Sequence, residues 1–354
     1  MEKTERNYSL DFLKILATVA IVFHHFQQIA NVKYDNFINF YGEWFNWGNL
    51  VEFFFILSGY FMYRYIPKIK ENSITLLDWW KKRALRLLPM VAISVLAFEV
   101  FLYTYNKMYQ TNWLSLDISI WGTVIASLGI QDGWGFVSPL LNNPIWYISV
   151  LLACYIIFYI LTSISAKVKC SPMYFYAAMI FVGVGIVVYQ INLPFLNSSM
   201  ARGYYSFFFG LILVAYINKY GVKLKEIILS VACLAFFTYV FAIEWDYADD
   251  NLAFNLTFLV FPALIMLFET GFVKKIFRHK IWGTVSAISF EVYLWHLPML
   301  LLSYIFVRQF NWYESFETLR GMFVFLGIVC AVGTLIYFLV ERPIVKLINS
   351  KSKK

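Results

Sequence analysis

Runs of about 20 mostly apolar residues, the length that crosses a bilayer as a helix, recur along the chain near 10–30, 47–66, 84–104, 145–164, 173–191, 203–218, 226–243, 254–270, 282–307 and 321–340. The pattern predicts ten spanning helices. A further apolar stretch at 118–130 (ISIWGTVIASLGI) is too short to cross and follows a polar segment, so it predicts an interfacial or re-entrant helix. The polar segments between the runs test the count. With the N-terminus placed inside, inner segments hold 23 of the 29 Lys and Arg; outer segments hold five (Lys33, Lys107, Arg202, Arg308, Arg320), and Lys14 falls within the first run. Cytoplasmic loops carry such an excess, and an odd number of spans would scramble it. The outer segment 244–250 (EWDYADD) is acidic and has no base. The expected fold is therefore an all-α polytopic membrane protein, a bundle of ten transmembrane helices with both termini cytoplasmic. Residues 1–354 form a single membrane-embedded domain in this reading, with no appended soluble domain, because the longest gap (105–144) is only a loop.

Composition sharpens the class. Of 354 residues, 61% are hydrophobic and 14% charged, against about 45–50% and about 25% in soluble domains. That balance excludes an ordinary soluble enzyme, and 36 Phe, 25 Tyr and 12 Trp exclude disorder and suit a lipid-facing bundle with interfacial belts. The net charge of +8 is topological: its Lys and Arg lie in short runs between apolar segments, so no nucleic-acid face is expected. Cys154, Cys170, Cys233 and Cys330 lack CxxC or paired spacing, which argues against a zinc site or a disulfide framework. The MEKTERN start is too acidic for a cleaved signal peptide, so the first helix is read as retained. There is no P-loop, HExxH or GxSxG, and the GVG at 183–185 sits inside an apolar run, where no nucleotide fold follows from it.

Ionisable groups within spans are costly and are functional candidates by default. The first span holds Asp11, Lys14, His24 and His25. At 100° per residue, Lys14 and His25 share a face, about 20° apart and about 16 Å along the axis, while His24 points about 100° away. Lys14 is then near the cytoplasmic boundary and His25 deep in the membrane. A snorkelling Lys14 and a His25 bonded to a neighbouring helix would be a purely structural reading. Asp11 suits the first turn of a helix. In the second span, Ser58 and Gly59 form a small step that permits close helix contact, and Glu52 near the outer end is either a site group or simply solvated. Arg83 and Arg86 lie three apart before Pro89, on one face at the inner boundary. Positive-inside topology explains their charge, and their planar forks also suit a phosphate. Glu291 and His296 fall within the ninth span. His296 precedes Pro298, and is either a chemical group or a donor to a carbonyl that the proline frees. Glu341 and Arg342 anchor the last helix at the inner interface. The outer Trp44, Trp47, Trp113 and Trp134 suit either sugar stacking or interfacial anchoring.

Six motifs in order resemble the acyltransferase 3 family of integral membrane acyltransferases: LDFLK at Leu10–Lys14 with His25 after ten intervening residues, FFILSG at Phe54–Gly59, R-x-x-R-x-x-P at Arg83, Arg86 and Pro89, NPIW at Asn143–Trp146, YLWHLP around His296, and ERP at Glu341–Pro343. The resemblance covers essentially the whole chain. It implies a ten-helix bundle in a bacterial plasma membrane that passes an acyl group, commonly acetyl, from cytoplasmic acyl-CoA to a hydroxyl of a cell-envelope or exported glycan. It implies that His25 is the catalytic histidine, with Lys14 where the family usually has Arg, keeping the charge without the bidentate fork. Leu151 stands where one branch has Glu.

The expected activity is thus acyl-CoA-dependent O-acyl transfer, with Lys14, Arg83 and Arg86 on the donor and Glu52, Ser58, Trp146, Glu291 and His296 lining the site. No metal or permanently bound cofactor is expected; acyl-CoA is a co-substrate, the glycan and the bilayer are partners, and an oligomer is compatible with the sequence. A neutral His25 would take the proton of the attacking hydroxyl or carry the acyl group itself. The rival class is a transporter or flippase of a polar or lipid-linked sugar, against which no pair of Gly/Pro-broken helices marks two inverted halves.

Overall fold

The computed structural model describes residues 6–43, 45–136, 141–242 and 249–351. Trp44 and the acids of 244–248 lie outside the described residues, as do residues 1–5 and 352–354. Among the described residues the chain is helical with no strand, apart from an isolated β-bridge between Leu193 and Leu196.

Every apolar run predicted to span lies on a helix. These are α1 (Tyr8–Ala30), α2 (Leu50–Met62), α3 (Leu76–Tyr109), α4 (Ile120–Ser127), α5 (Trp146–Lys167), α6 (Pro172–Val188), α7 (Ser198–Tyr220), α8 (Leu224–Ala242), α9 (249–268, through a π turn at Leu256–Val260), α10 (Ile281–Phe310) and α11 (Leu319–Ile336, continued through a π turn at Tyr337–Glu341). Here α4 is the short extra stretch, eight residues long. Ile120, Trp121 and Val124 on it are exposed, as suits an interfacial helix.

By length and apolarity, six helices among the described residues can cross a membrane: Tyr8–Ala30, Leu76–Tyr109, Asn143–Lys167, Ser198–Tyr220, Ile281–Phe310 and Leu319–Ile348. Pro172–Val188 and Leu252–Phe268 are shorter apolar helices. Helix α2 has 13 residues, lengthened by 3₁₀ turns at Trp47–Asn49 and Tyr63–Tyr65.

Local sequence sets the boundaries. Asn7, Thr75, Ser119, Ser171, Asn197 and Thr318 each accept a backbone N–H at a helix start, removing one of the four orphan donors there. Asn31 and Asn311 end α1 and α10 in the left-handed region, which Asn tolerates.

Two pairs of parallel helices position the site. Helix α10 runs alongside α1: Arg6 donates to the Gly283 carbonyl (2.9 Å), Ser286 to Asp11 (3.0 Å), and the His25 ring lies 5.1 Å from that of His296. Helices α2 and α7 also run together and almost touch. A Cβ on Gly59 would stand 1.9 Å from the Phe207 carbonyl oxygen, and one on Gly210 would stand 2.0 Å from that of Ile56. Only glycine permits that approach. The face at which α1 begins is called the near face below, and the opposite one the far face.

Candidate active site

The near face gathers most of the charges. Asp11 is buried and holds Arg6 (2.6 Å), Lys14 (3.1 Å) and Ser286 (3.0 Å). It is therefore a junction between α1 and α10, beyond the first-turn role expected of it. Lys14 does not snorkel as a lone cation: besides Asp11, its ammonium sits 4.5 Å over the Phe61 ring of α2. Arg86 interacts electrostatically with Lys14 and with Glu341.

Arg83 and Arg86 do not share an environment as the three-residue spacing suggested. Arg83 is buried, with its guanidinium 3.9 Å over Trp79 and 4.5 Å over Tyr65, whereas Arg86 is exposed. The 60° between them on the helix turns one inward and leaves the other in contact with solvent or lipid headgroups. Glu291 is fully buried, with no hydrogen bond to either carboxyl oxygen, and is electrostatically coupled to Glu341.

Toward the far face, three imidazoles meet. His25 lies parallel to His296, with 23° between the ring planes, and His24 meets His25 edge-on at 5.1 Å. Each ring is oriented through Nδ1: His24 by the Phe40 carbonyl (2.7 Å), His25 by Gln28 Oε1 (2.9 Å) and His296 by the Tyr293 carbonyl (2.6 Å). Because those partners accept, the ring proton sits on Nδ1 and each Nε2 presents a lone pair. His296 Nε2 is buried and has no partner.

His296 therefore does not glue helices through the carbonyl that Pro298 frees. That carbonyl, of Leu294 four residues earlier, is taken by Asn142 (3.1 Å), which holds a left-handed backbone (φ 47°) just ahead of the NPIW motif and also reaches Ser94 (3.2 Å). The proline of one motif is thus satisfied from the flank of another.

His24 and His25 line a cavity of about 180 Å³ with Gly48, Trp146, Arg202 and Tyr293. His24, about 100° around α1 from His25, reaches the same cavity because Phe40, Asn46 and Gly48 lie over the end of α1 on that side. Three helices begin on this side: α2 and α5 supply Val51 and Trp146 from their first turns, and α7 supplies Arg202 from its second. The positive ends of the helix dipoles therefore lie on this side of the cavity.

Glu52 is not solvated. It is fully buried and receives Arg202 at both oxygens (2.5 and 2.8 Å) and the Tyr205 hydroxyl (3.2 Å). Arg202 also donates to the Gly48 carbonyl (3.0 Å) and lies 4.7 Å over Trp146. Arg202, counted from sequence as one more outer charge, is thus a member of the site. Ser58 sits deeper and bonds the Tyr147 hydroxyl (3.0 Å), tying α2 to α5.

Of the tryptophans, Trp113 is buried against Phe98, while Trp47 and Trp134 donate to the Asn39 and Ser149 carbonyls. Among the described residues, no three His, Cys, Asp or Glu side chains are grouped to hold a metal ion.

A family model described as an acyltransferase domain matches residues 7–341, a stretch that includes five of the six motifs and the Glu341 that opens the sixth. The chain belongs to that family. It is similar to the peptidoglycan O-acetyltransferase OatA of Listeria monocytogenes (22% identity over 96% of this chain and 56% of the relative). It is similar also to the putative peptidoglycan O-acetyltransferase YrhL of Bacillus subtilis (22%; 95% and 54%) and to the O-acetyltransferase OatA of Staphylococcus aureus (21%; 85% and 52%). The chain spans about half the length of these curated relatives. No solved structure matches it. With these relatives and its apolar helices, the acyltransferase-family chain is a multi-pass protein of the cell membrane.

Proposed function

We propose that this chain is a membrane O-acyltransferase that moves an acyl group, acetyl foremost, from cytoplasmic acyl-CoA to a hydroxyl of a cell-envelope glycan, with His25 as the catalytic histidine. The observation that carries the proposal is the orientation of His25: Nδ1 is engaged by Gln28, which leaves the Nε2 lone pair for a ring that lines a polar cavity.

In the direct route, the acceptor hydroxyl attacks the thioester carbonyl while Nε2 takes its proton. The oxyanion that forms faces Arg202 and the first turns of α2 and α5, where positive charge is already in place. The C–S bond then breaks, and the imidazolium returns the proton to the leaving thiolate. If the acyl group instead pauses on histidine, the same nitrogen carries it. Lys14 and the exposed Arg86 at the near face would hold the donor's phosphates, and Arg83, buried over Trp79 and Tyr65, would add its charge from below the surface. Peptidoglycan is the acceptor suggested by the relatives' names.

The reading includes ten spans with both termini inside. It is supported by the parallel courses of α1 with α10 and of α2 with α7, the latter running from Glu52 on Arg202 to Gly59 beside Phe207 and Leu211, which an alternating chain requires of its first and ninth spans and of its second and sixth.

The test is the purified protein in lipid nanodiscs with radiolabelled acetyl-CoA and a peptidoglycan fragment. Label should pass to the glycan, and His25→Ala should lower the rate by about 10²–10⁴-fold, the range of a lost general base, with helical content unchanged. Wild-type turnover in that variant removes the assignment.

A further inference from the structure

A second, larger cavity of about 430 Å³ opens beside the histidine cavity, between α2, α6, α7 and α9. We propose that it seats the sugar ring of the acceptor, a neutral, hydroxyl-rich carbohydrate. The inference rests on the acyltransferase reading and adds to it where the acceptor is held. The volume falls within the about 300–1,000 Å³ of small-molecule sites.

Its wall is built for such a ligand. Asn49, only 6% exposed, lines the cavity and carries a buried amide nitrogen with no hydrogen-bond partner. A native structure rarely leaves such a donor unmatched, and a ligand hydroxyl or ring oxygen would satisfy it. Gln190 and Asn192 add two amides, each able both to donate and to accept, which is what alternating hydroxyls need. Ile186 and Phe254 offer apolar surface to the C–H face of a ring.

Charge selects the class. Arg202 reaches the cavity already paired with Glu52 at both oxygens, so the wall is neutral overall, and a phosphate or carboxylate would have to displace Glu52 from a buried pair. A lipid tail would leave the Asn49 donor facing hydrocarbon, which is costly.

The position fits the reaction. Gly48 lines the smaller cavity and Asn49 the larger, and Arg202 lines both. A ring held in the larger cavity therefore sits across one guanidinium from the histidines.

The experiment needs no donor. Binding of chitotetraose, a neutral β-1,4-linked N-acetylglucosamine tetramer, is titrated calorimetrically onto the wild type in nanodiscs and onto Asn49→Leu and Gln190→Ala. Saturable binding is expected, weakened about tenfold by Asn49→Leu, the effect of one lost hydrogen bond, and weakened also by Gln190→Ala. Gln190 is exposed, so that variant carries the test if Asn49→Leu does not fold. No saturable binding to the wild type, or equal affinity in the folded variants, overturns the site. The two proposals fail separately. Binding without acyl transfer keeps the sugar seat and removes the enzyme, whereas transfer with an acceptor KM untouched by either variant removes the seat and keeps the enzyme.

Discussion

Glu52 and Arg202 form the best-defined ionic contact of the far half: a carboxylate with no exposure, held by a guanidinium from 150 residues away. Breaking one partner of a buried pair strands the other charge, which costs about 3–5 kcal/mol, whereas replacing both with apolar groups of similar size is often neutral. Glu52→Leu and Arg202→Met are each expected to lower the thermal midpoint in detergent, and the double variant to recover most of the loss. A double variant as unstable as the sum of the singles would mean that the pairing is not what the two side chains contribute.

This pair also shows where sequence stops being legible at this scale. Glu52, Lys14, His25 and His296 were visible because each is a polar residue in an apolar run. Arg202 was read as a loop charge because the run was started at 203. The helix begins at Ser198, and its sequence signal was present in Asn197, whose side chain accepts from the Met200 amide. What no local signal carries is the partner. His24 was left out of the site for a related reason, since helical angles place a ring around its own axis and say nothing of Phe40, Asn46 and Gly48, which lie over it.

Among the helices, two contacts decide how the bundle closes. Gly59 and Gly210 bring α2 and α7 to backbone contact, and a methyl at either position meets a carbonyl rather than a side chain that could move. Gly210→Leu is expected to prevent accumulation of folded protein in membranes, while the same change at Gly185, around which a Cβ meets nothing within 4 Å, is expected to be tolerated. Equal yields from both would refute the close approach.

The second contact joins α10 to the start of α5. Asn142→Leu leaves the Leu294 carbonyl without its donor, at about 1–3 kcal/mol for an unsatisfied buried group. Pro298→Leu restores the amide that a regular helix would offer that carbonyl. The double variant should therefore be more stable than Asn142→Leu alone by thermal unfolding, and simple additivity would break the link between the two motifs. Helix positions were legible because apolar run length and bilayer thickness match. Helix neighbours were not, because that signal is a glycine or a freed carbonyl whose counterpart lies far along the chain.

For the molecule as a whole, the distribution of charge predicts which surface faces which compartment. Single cysteines placed at Lys33 or Arg308 should react with an impermeant maleimide from outside intact cells, and those at Lys169 or Lys280 only after the membrane is opened. Labelling of both sets from one side would collapse the alternation. Sidedness was readable from Lys and Arg because translocation itself reads them, whereas the far-face cavities were not, because their walls are drawn from seven helices far apart along the chain.

One dimension of the bundle bears on the surroundings it tolerates. Helix α3 has 34 residues, about 51 Å of rod against a hydrocarbon slab of about 30 Å. Even at the roughly 20° inclination usual for such rods, about a third of it must stand clear of the acyl chains. Its opening turns, with the exposed Asp78, Lys81 and Lys82, then form a ledge that a water-borne molecule reaches before any lipid. Thicker membranes would submerge that ledge, so lipid chain length becomes a control on how the protein meets its soluble substrate.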